Sequence, residues 1–322
     1  MTHRVLLCRK LHPAGMALLE ARRDLEIVTL HDPPVEQFHQ HLSGAHAVLC
    51  WLERVDQAAL DAAPHLRCVS RYGVGFDTVD IPACTARGIP VMVANGSNDL
   101  SVAEHAMMLM LAVARRAADT SAHVKAGGWW PKDGPGMVDL AGRAALVIGY
   151  GRIGSRVANY CRAFHMRVMV MDPGFHPARI AADGFIPARD LRAALGEADV
   201  VTLHCPLTPA TRHLMGPVAF AAMKPGAILV NTARGPVVDE AALLDALRAG
   251  RLQGFGTDVL EVEPSDAGHP LWQLPNVIVS PHSAASTEEG LARMARAAAQ
   301  NILDALDGRP DPAMMVNPEL VA

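Results

Sequence analysis

The sequence predicts an α/β protein made of two doubly wound parallel sheets, and three observations carry that reading. Short apolar runs alternate with helical patterns from Val5 to Ala94, a βα repeat that calls for a parallel sheet covered on both faces. From Asp99 the pattern changes to a long, almost wholly apolar helix. Past Ala144 a second βα series opens on Gly149-Tyr150-Gly151-Arg152-Ile153-Gly154, set between an apolar run and a helix-like stretch. A length of 322 residues accommodates two domains, and 50% hydrophobic against 19% charged residues is a globular balance.

The elements follow in order. Strands are expected at Val5–Cys8, Leu25–Leu30, Ala47–Trp51, Leu66–Ser70 and Val91–Ala94, with helices opening near Pro13, Val35, Asp56 and Ile81. The segment Tyr72-Gly73-Val74-Gly75-Phe76-Asp77 puts two glycines at a strand's carboxyl end, where open α/β sheets present backbone N–H groups to ligands. Ser101–Arg116 reads as a helix with a nearly all-round apolar surface, buried either in a core or against another subunit. The loop from Gly127 to Gly136 carries Trp129 and Trp130, as a packing loop or as an aromatic wedge across a subunit boundary. Ala144–Ile148 and Arg167–Met171 are strands flanking a helix over Ser155–Phe164. Further strands are expected at Val200–His204, Ile228–Thr232, Phe255–Val259 and Val277–Ser280. A helix over Glu240–Ala249 stops at Gly250, and the last long helix runs from about Thr287 to Leu306.

The glycine-rich segment has a specific chemistry. The first glycine allows a tight turn, the second lets the backbone approach a pyrophosphate, and the third lets helix and strand pack closely. The helix N-terminus then offers N–H groups to phosphates. Asp172 ends the next strand eighteen residues past Gly154, close to the separation of roughly 20 at which an acid meets the ribose hydroxyls. The strand–turn–helix–strand–acid order therefore predicts a Rossmann dinucleotide site, and the acid favours NAD over NADP.

Three polar features end later strands: Asn231-Thr232-Ala233-Arg234-Gly235, Asp258 with Glu263-Pro264 beyond it, and Pro281-His282. Singly, Arg234 could be a surface ion-pair residue, Glu263 a turn acid and His282 a helix-approach histidine. Together, at strand carboxyl ends beside a cofactor turn, they converge on the nicotinamide. An arginine can hold a carboxylate bidentately, and a histidine oriented by a carboxylate can exchange a proton near neutral pH. Hydride transfer to a 2-oxo acid requires that set.

Composition argues against other classes. A net charge of −4 gives no reason to invoke nucleic acid or an acidic membrane surface. Cys8, Cys50, Cys68, Cys84, Cys161 and Cys205 form no CxxC pair or zinc-like spacing, so no metal site is expected, and buried reduced thiols fit a cytoplasmic home. Val5–Cys8 is too short and too soon interrupted for a secretory signal, and Ala106–Ala114 is too short to span a bilayer.

The chain resembles the D-isomer-specific 2-hydroxyacid dehydrogenases. The matching segments are RYGVGFDTVD (71–80), NDLSVAEHAMMLML (98–111), GYGRIG (149–154) with Asp172, HCPLT (204–208), KPGAILVNTARGPVVDEAALLDAL (224–247), GTDVLEVEP (256–264) and NVIVSPHSAAST (276–287). The resemblance covers nearly the whole chain. It implies a Rossmann NAD-binding domain (99–286) inserted into a flavodoxin-like substrate domain (1–98 and 287–322), paired as a homodimer. Arg234 then matches the substrate-orienting arginine, and Glu263 and His282 the acid–base pair. Val74 and Gly75 match the loop whose N–H groups hold the substrate carboxylate, with Asn98 near the active site and Arg71 beside the loop. Toward the cofactor the resemblance places Val102, the turn Gly149, Gly151, Arg152, Ile153 and Gly154, and Asp172. It adds His204, Cys205, Pro206 and Thr211 on the adenine and ribose side, Thr232, Ala233, Arg234 and His282 at the nicotinamide, Asp258 on its amide, and Ala285. Ser283-Ala284-Ala285 stands where many relatives have a glycine pair, which should reshape the nicotinamide wall.

The implied activity is NAD-dependent hydride transfer at C2 of a small D-2-hydroxy or 2-oxo acid of the hydroxypyruvate, glyoxylate or 3-phosphoglycerate type. Arg71 could serve a phosphate or a structural salt bridge, and Trp51 could close the pocket around a smaller or apolar tail. The alternative is a dinucleotide-sensing, corepressor-like binding protein of the same fold, for which long partner-binding tails would be the discriminator.

Overall fold

The computed structural model describes residues 2–129 and 136–321. Trp130, half of the expected tryptophan pair, lies outside the described residues. Two compact units result, one of Met1–Asn98 with Ser286–Ala322 and one of Asp99–Ala285.

In the first unit the chain alternates β1 (His3–Leu7), α1 (Pro13–Glu20), β2 (Leu25–Thr29), α2 (Val35–Leu42), β3 (Ala47–Cys50), α3 (Gln57–Asp61), β4 (Cys68–Arg71), α4 (Ile81–Ala86) and β5 (Val91–Met92). The strands pair in parallel in the order β2-β1-β3-β4-β5, the flavodoxin-like arrangement. Asp56 and Asp80 cap α3 and α4 by accepting a backbone N–H three residues on.

The second unit holds α5 (Asp99–Ala114), α6 (Ala117–Lys125), β6 (Ala144–Ile148), α7 (Arg152–Ala163), β7 (Arg167–Met171), α8 (Pro177–Ala182), β8 (Ile186–Pro187), α9 (Leu191–Glu197), β9 (Val200–Leu203), α10 (Pro217–Ala222), β10 (Ala227–Asn231), α11 (Glu240–Arg248), β11 (Leu252–Thr257) and β12 (Val277–Val279). Its parallel sheet runs β12-β11-β10-β9-β6-β7-β8, the Rossmann order with one added edge strand. The order reverses between β6 and β9, the point at which such sheets bind nucleotides. The chain then re-enters the first unit as α12 (Glu288–Leu306), capped by Thr287. Met294, Ala295, Ala298, Ala299 and Ile302 are buried where α12 packs on α1, β3 and β4.

The expected helix Ser101–Arg116 is corrected at both ends. It starts at Asp99 and stops at Ala114, because Arg116 adopts φ +50° and breaks the run before α6. Ala103, Ala106, Met107, Leu109, Met110 and Val113 are buried in the core of the second unit, while Leu100 and Met108 are exposed. No described helix is long and apolar enough to cross a membrane.

Candidate active site

The glycine-rich turn after β6 is shaped by backbone contacts. Gly149 has φ +95°, and a Cβ there would lie 2.5 Å from the backbone of His204 and Cys205. A Cβ on Gly154 would overlap the Gly149 carbonyl. Gly151 differs, since a Cβ there meets nothing within 4 Å and the turn is open on that side. Gly151 caps α7 without a side-chain hydrogen bond, and the N–H groups of Arg152 and Ile153 donate to no described residue. Asp172 follows β7, where its carboxylate accepts from the N–H groups of Tyr150 (2.6 Å) and Gly174 (2.7 Å). Unpartnered helix N–H groups behind an open turn, with an acid fixed at its mouth, fit the pyrophosphate and ribose of a dinucleotide.

His204 and Cys205 follow β9, on the other side of the strand-order reversal. Burial lowers the His204 pKa from 6.5 to about 3, so the ring is neutral, with Nε2 2.8 Å from the Thr202 hydroxyl. Cys205 is buried, which pushes its thiol up to about 11. The Thr211 hydroxyl donates to the Pro206 carbonyl (2.7 Å) and closes that loop. Val102 is buried in α5. The Thr232 hydroxyl is buried with no partner among the described residues, as a group awaiting a ligand would be.

Loops from three adjacent strands carry the acid–base groups. After β10, the buried Asn231 amide donates to the Arg234 carbonyl (2.9 Å) and accepts from the Ala233 N–H (3.0 Å), which fixes the backbone of Arg234. Gly235 next to it packs so tightly on the Leu260 backbone that any Cβ would overlap the carbonyl. The Leu260 N–H in turn donates to Glu263 Oε1 (2.8 Å), and Glu263 Oε2 lies 2.7 Å from His282 Nδ1. The pair leaves His282 Nε2 on the ring edge facing away from Glu263. Burial alone raises the Glu263 carboxyl. The hydrogen bond and charge of His282, the Leu260 N–H and the charge of Arg234 outweigh it, so the group lies below its ordinary value.

His282 adopts φ +51°, a conformation that costs a non-glycine residue energy, and Asp258 pins the turn that imposes it. The Asp258 carboxylate is 2% exposed and accepts from Ser280 Oγ (2.6 Å), Ser283 N (2.8 Å) and Ala284 N (2.8 Å), while its carbonyl accepts from His282 N (2.9 Å). His105 of α5 adds Nε2 at 2.7 Å from Ser280 Oγ. Ala285 is half-buried just beyond. Sequence reasoning singled out Asp258 and His282 but not Ser280 or Gly235; an Arg-Gly pair after a strand was the only local signal for the latter.

In the first unit the carboxyl edge of the sheet holds the remaining expected residues. The N–H groups of Val74 and Gly75 donate to no described residue, and Asn98 Oδ1 is buried without a partner. Arg71 is 5% exposed and makes no salt bridge among the described residues. Its Nε donates to the Gly75 carbonyl (2.8 Å) and its Nη1 to the Trp51 carbonyl, so it braces the Val74–Gly75 loop against the end of β3. In place of the expected structural salt bridge, the described partners of that guanidinium are two carbonyl oxygens and the Cys50 thiol.

Comparison with known proteins adds the following. The family model for D-isomer specific 2-hydroxyacid dehydrogenase, NAD binding domain, matches residues 107–284. A glyoxylate reductase of Aeropyrum pernix is 38% identical over 326 residues, covering 99% of this chain and 97% of that enzyme. A D-3-phosphoglycerate dehydrogenase of Archaeoglobus fulgidus is 42% identical over 257 residues, 80% of this chain; the match spans only 48% of that longer enzyme. The crystal structure of the TT0316 protein of Thermus thermophilus superposes with a TM-score of 0.90 at 37% identity, covering 97% of this chain and 99% of that one.

Proposed function

Because the chain belongs to the D-isomer-specific 2-hydroxyacid dehydrogenases, a family of NAD-dependent oxidoreductases, we propose that it interconverts a short 2-oxo acid and the matching D-2-hydroxy acid, with His282 as the group that exchanges the proton. Its cofactor is NAD. When bound, NAD supplies the hydride chemistry. The observation that carries the reading is the 2.7 Å contact between His282 Nδ1 and Glu263 Oε2. Glu263 orients the ring, so Nε2 can donate a proton to the oxygen at C2 in reduction and take it back in oxidation. Arg234 polarises the C2 carbonyl and holds the substrate by its planar fork. In the first unit, the Val74 and Gly75 N–H groups take the substrate carboxylate.

The similarity to glyoxylate reductases over nearly full length supports short 2-oxo acids of the glyoxylate and hydroxypyruvate type, with 3-phosphoglycerate as the further candidate. Screening NADH oxidation against a panel of 2-oxo acids tests this, and turnover of none would end it. All six cysteines are buried and free, which supports a reducing, cytoplasmic setting. The exposed Leu100, Met108 and Trp129 support a homodimer formed through α5 and the loop after α6. Sedimentation at micromolar concentration should show a dimer; a monomer would remove the argument.

A further inference from the structure

The sheet of the first unit runs β2-β1-β3-β4-β5, so its strand order reverses between β1 and β3. In open α/β sheets the crevice outside the carboxyl ends at such a reversal is where ligands bind. Two side chains stand there. Arg9 lies just past β1 and Trp51 just past β3, with the guanidinium carbon 3.5 Å over the centre of the indole ring. Stacking fixes the guanidinium plane and leaves its N–H edge for an oxygen ligand. Arg9 is half-buried, yet among the described residues it has no hydrogen-bond or ion-pair partner. Glu53, two residues past Trp51, accepts from the Trp51 N–H (2.7 Å). Arg71 joins the two features of this edge, since one guanidinium holds both the Trp51 and the Gly75 carbonyls. Arg71 thereby ties the backbone of Trp51 to the loop that carries the unpartnered N–H groups of Val74 and Gly75.

We propose that Arg9, held flat by Trp51, reads the tail of the substrate and selects 2-oxo acids that carry a second anionic group, a carboxylate or a phosphate, beyond C2. The proposal rests on the reading of the chain as a 2-oxo acid reductase. The C1 carboxylate takes the Val74–Gly75 N–H pair, and the second anion takes the fork of Arg9 in a bidentate contact. Trp51 shields one face of that contact from water, which strengthens it. An acid without a tail, such as glyoxylate, makes only the first contact and is indifferent to Arg9.

The test compares the wild-type enzyme with Arg9→Gln. NADH-dependent reduction is measured with glyoxylate, oxaloacetate and 3-phosphohydroxypyruvate, and calorimetry measures binding of tartronate and glycolate in the presence of NADH. Losing a charge-assisted bidentate contact should lower kcat/KM for an anion-tailed acid by about 10- to 100-fold. Glyoxylate should stay within about twofold, and the tartronate Kd should rise about tenfold while that of glycolate holds. A loss confined to the dicarboxylate or to the phosphate supports the proposal and assigns the anion. An equal loss on glyoxylate would make Arg9 a structural brace and overturn it, as would no loss on either anion-tailed acid. If the wild type reduces no 2-oxo acid, the functional reading fails by itself, and the tartronate and glycolate affinities decide the tail site alone.

Discussion

Replacing His204 by Gln should flatten the acid limb of the stability profile. Burial takes the ring from a pKa of 6.5 to about 3, so the folded protein keeps it neutral where the unfolded chain protonates it. Between those values the unfolded state binds more protons, and stability falls as pH falls through the window. At pH 5 the linkage integral gives about 2 kcal/mol lost relative to pH 7.5, and about 1–2 kcal/mol after allowing for water at the ring's exposed edge. Gln cannot titrate but keeps a polar partner for the Thr202 hydroxyl, now 2.8 Å from Nε2. Denaturant unfolding at pH 7.5 and 5.0 should show the wild type losing about 1–2 kcal/mol more than H204Q. The half-buried His46, whose pKa is lowered by burial and by His3, His65 and Arg67, contributes with the same sign to both proteins and cancels. Parallel losses in the two proteins would refute the assignment of His204 as a buried neutral ring.

His282→Ala should cut turnover by roughly 10²–10⁴-fold while NADH still binds, as read by fluorescence titration. Near-normal turnover, with His105 or His204 essential instead, would refute the proposed site. Glu263→Gln should cost less, because Gln keeps a hydrogen-bond acceptor for the ring now held at 2.7 Å; a loss as large as that of His282→Ala counts against the orienting role. Arg234→Lys keeps the charge but loses the fork, so both KM and kcat should worsen. NADH should be preferred to NADPH, because Asp172 repels a 2′-phosphate and neutral His204 offers it no charge; equal kcat/KM with the two cofactors would contradict this.

Much of this architecture was legible in the chain because its strands are buried on both faces and read as unbroken apolar runs, as at Ala144–Ile148 and Ala47–Cys50. Strand ends were misjudged by a residue or two where hydrophobicity continues past the last ladder bond, as at Val91, whose strand stops at Met92 rather than Ala94. The short elements α6, α8, α9, α10 and β8 were not anticipated, since pieces of a few turns carry too little periodicity to stand out. The Glu263–His282 pair and the dinucleotide turn were visible because their residues follow strand ends in a fixed order. Gly235 and Arg71 were not readable in the same way: one is required by a carbonyl 25 residues downstream and the other by two carbonyls on different loops, so both meanings exist only in the folded chain.

The return of α12 to the first unit has a consequence for how the protein is made. The strands of that unit leave the ribosome before residues 99–285, but the helix that covers β3 and β4 is encoded after them. At roughly 5–20 residues per second, the nascent first sheet waits on the order of 10–40 s with the face over Leu49 and Ser70 uncovered. The middle unit is contiguous and can close during that interval. The first unit is completed only once α12 has emerged, so its half-covered sheet is the exposed species during that interval.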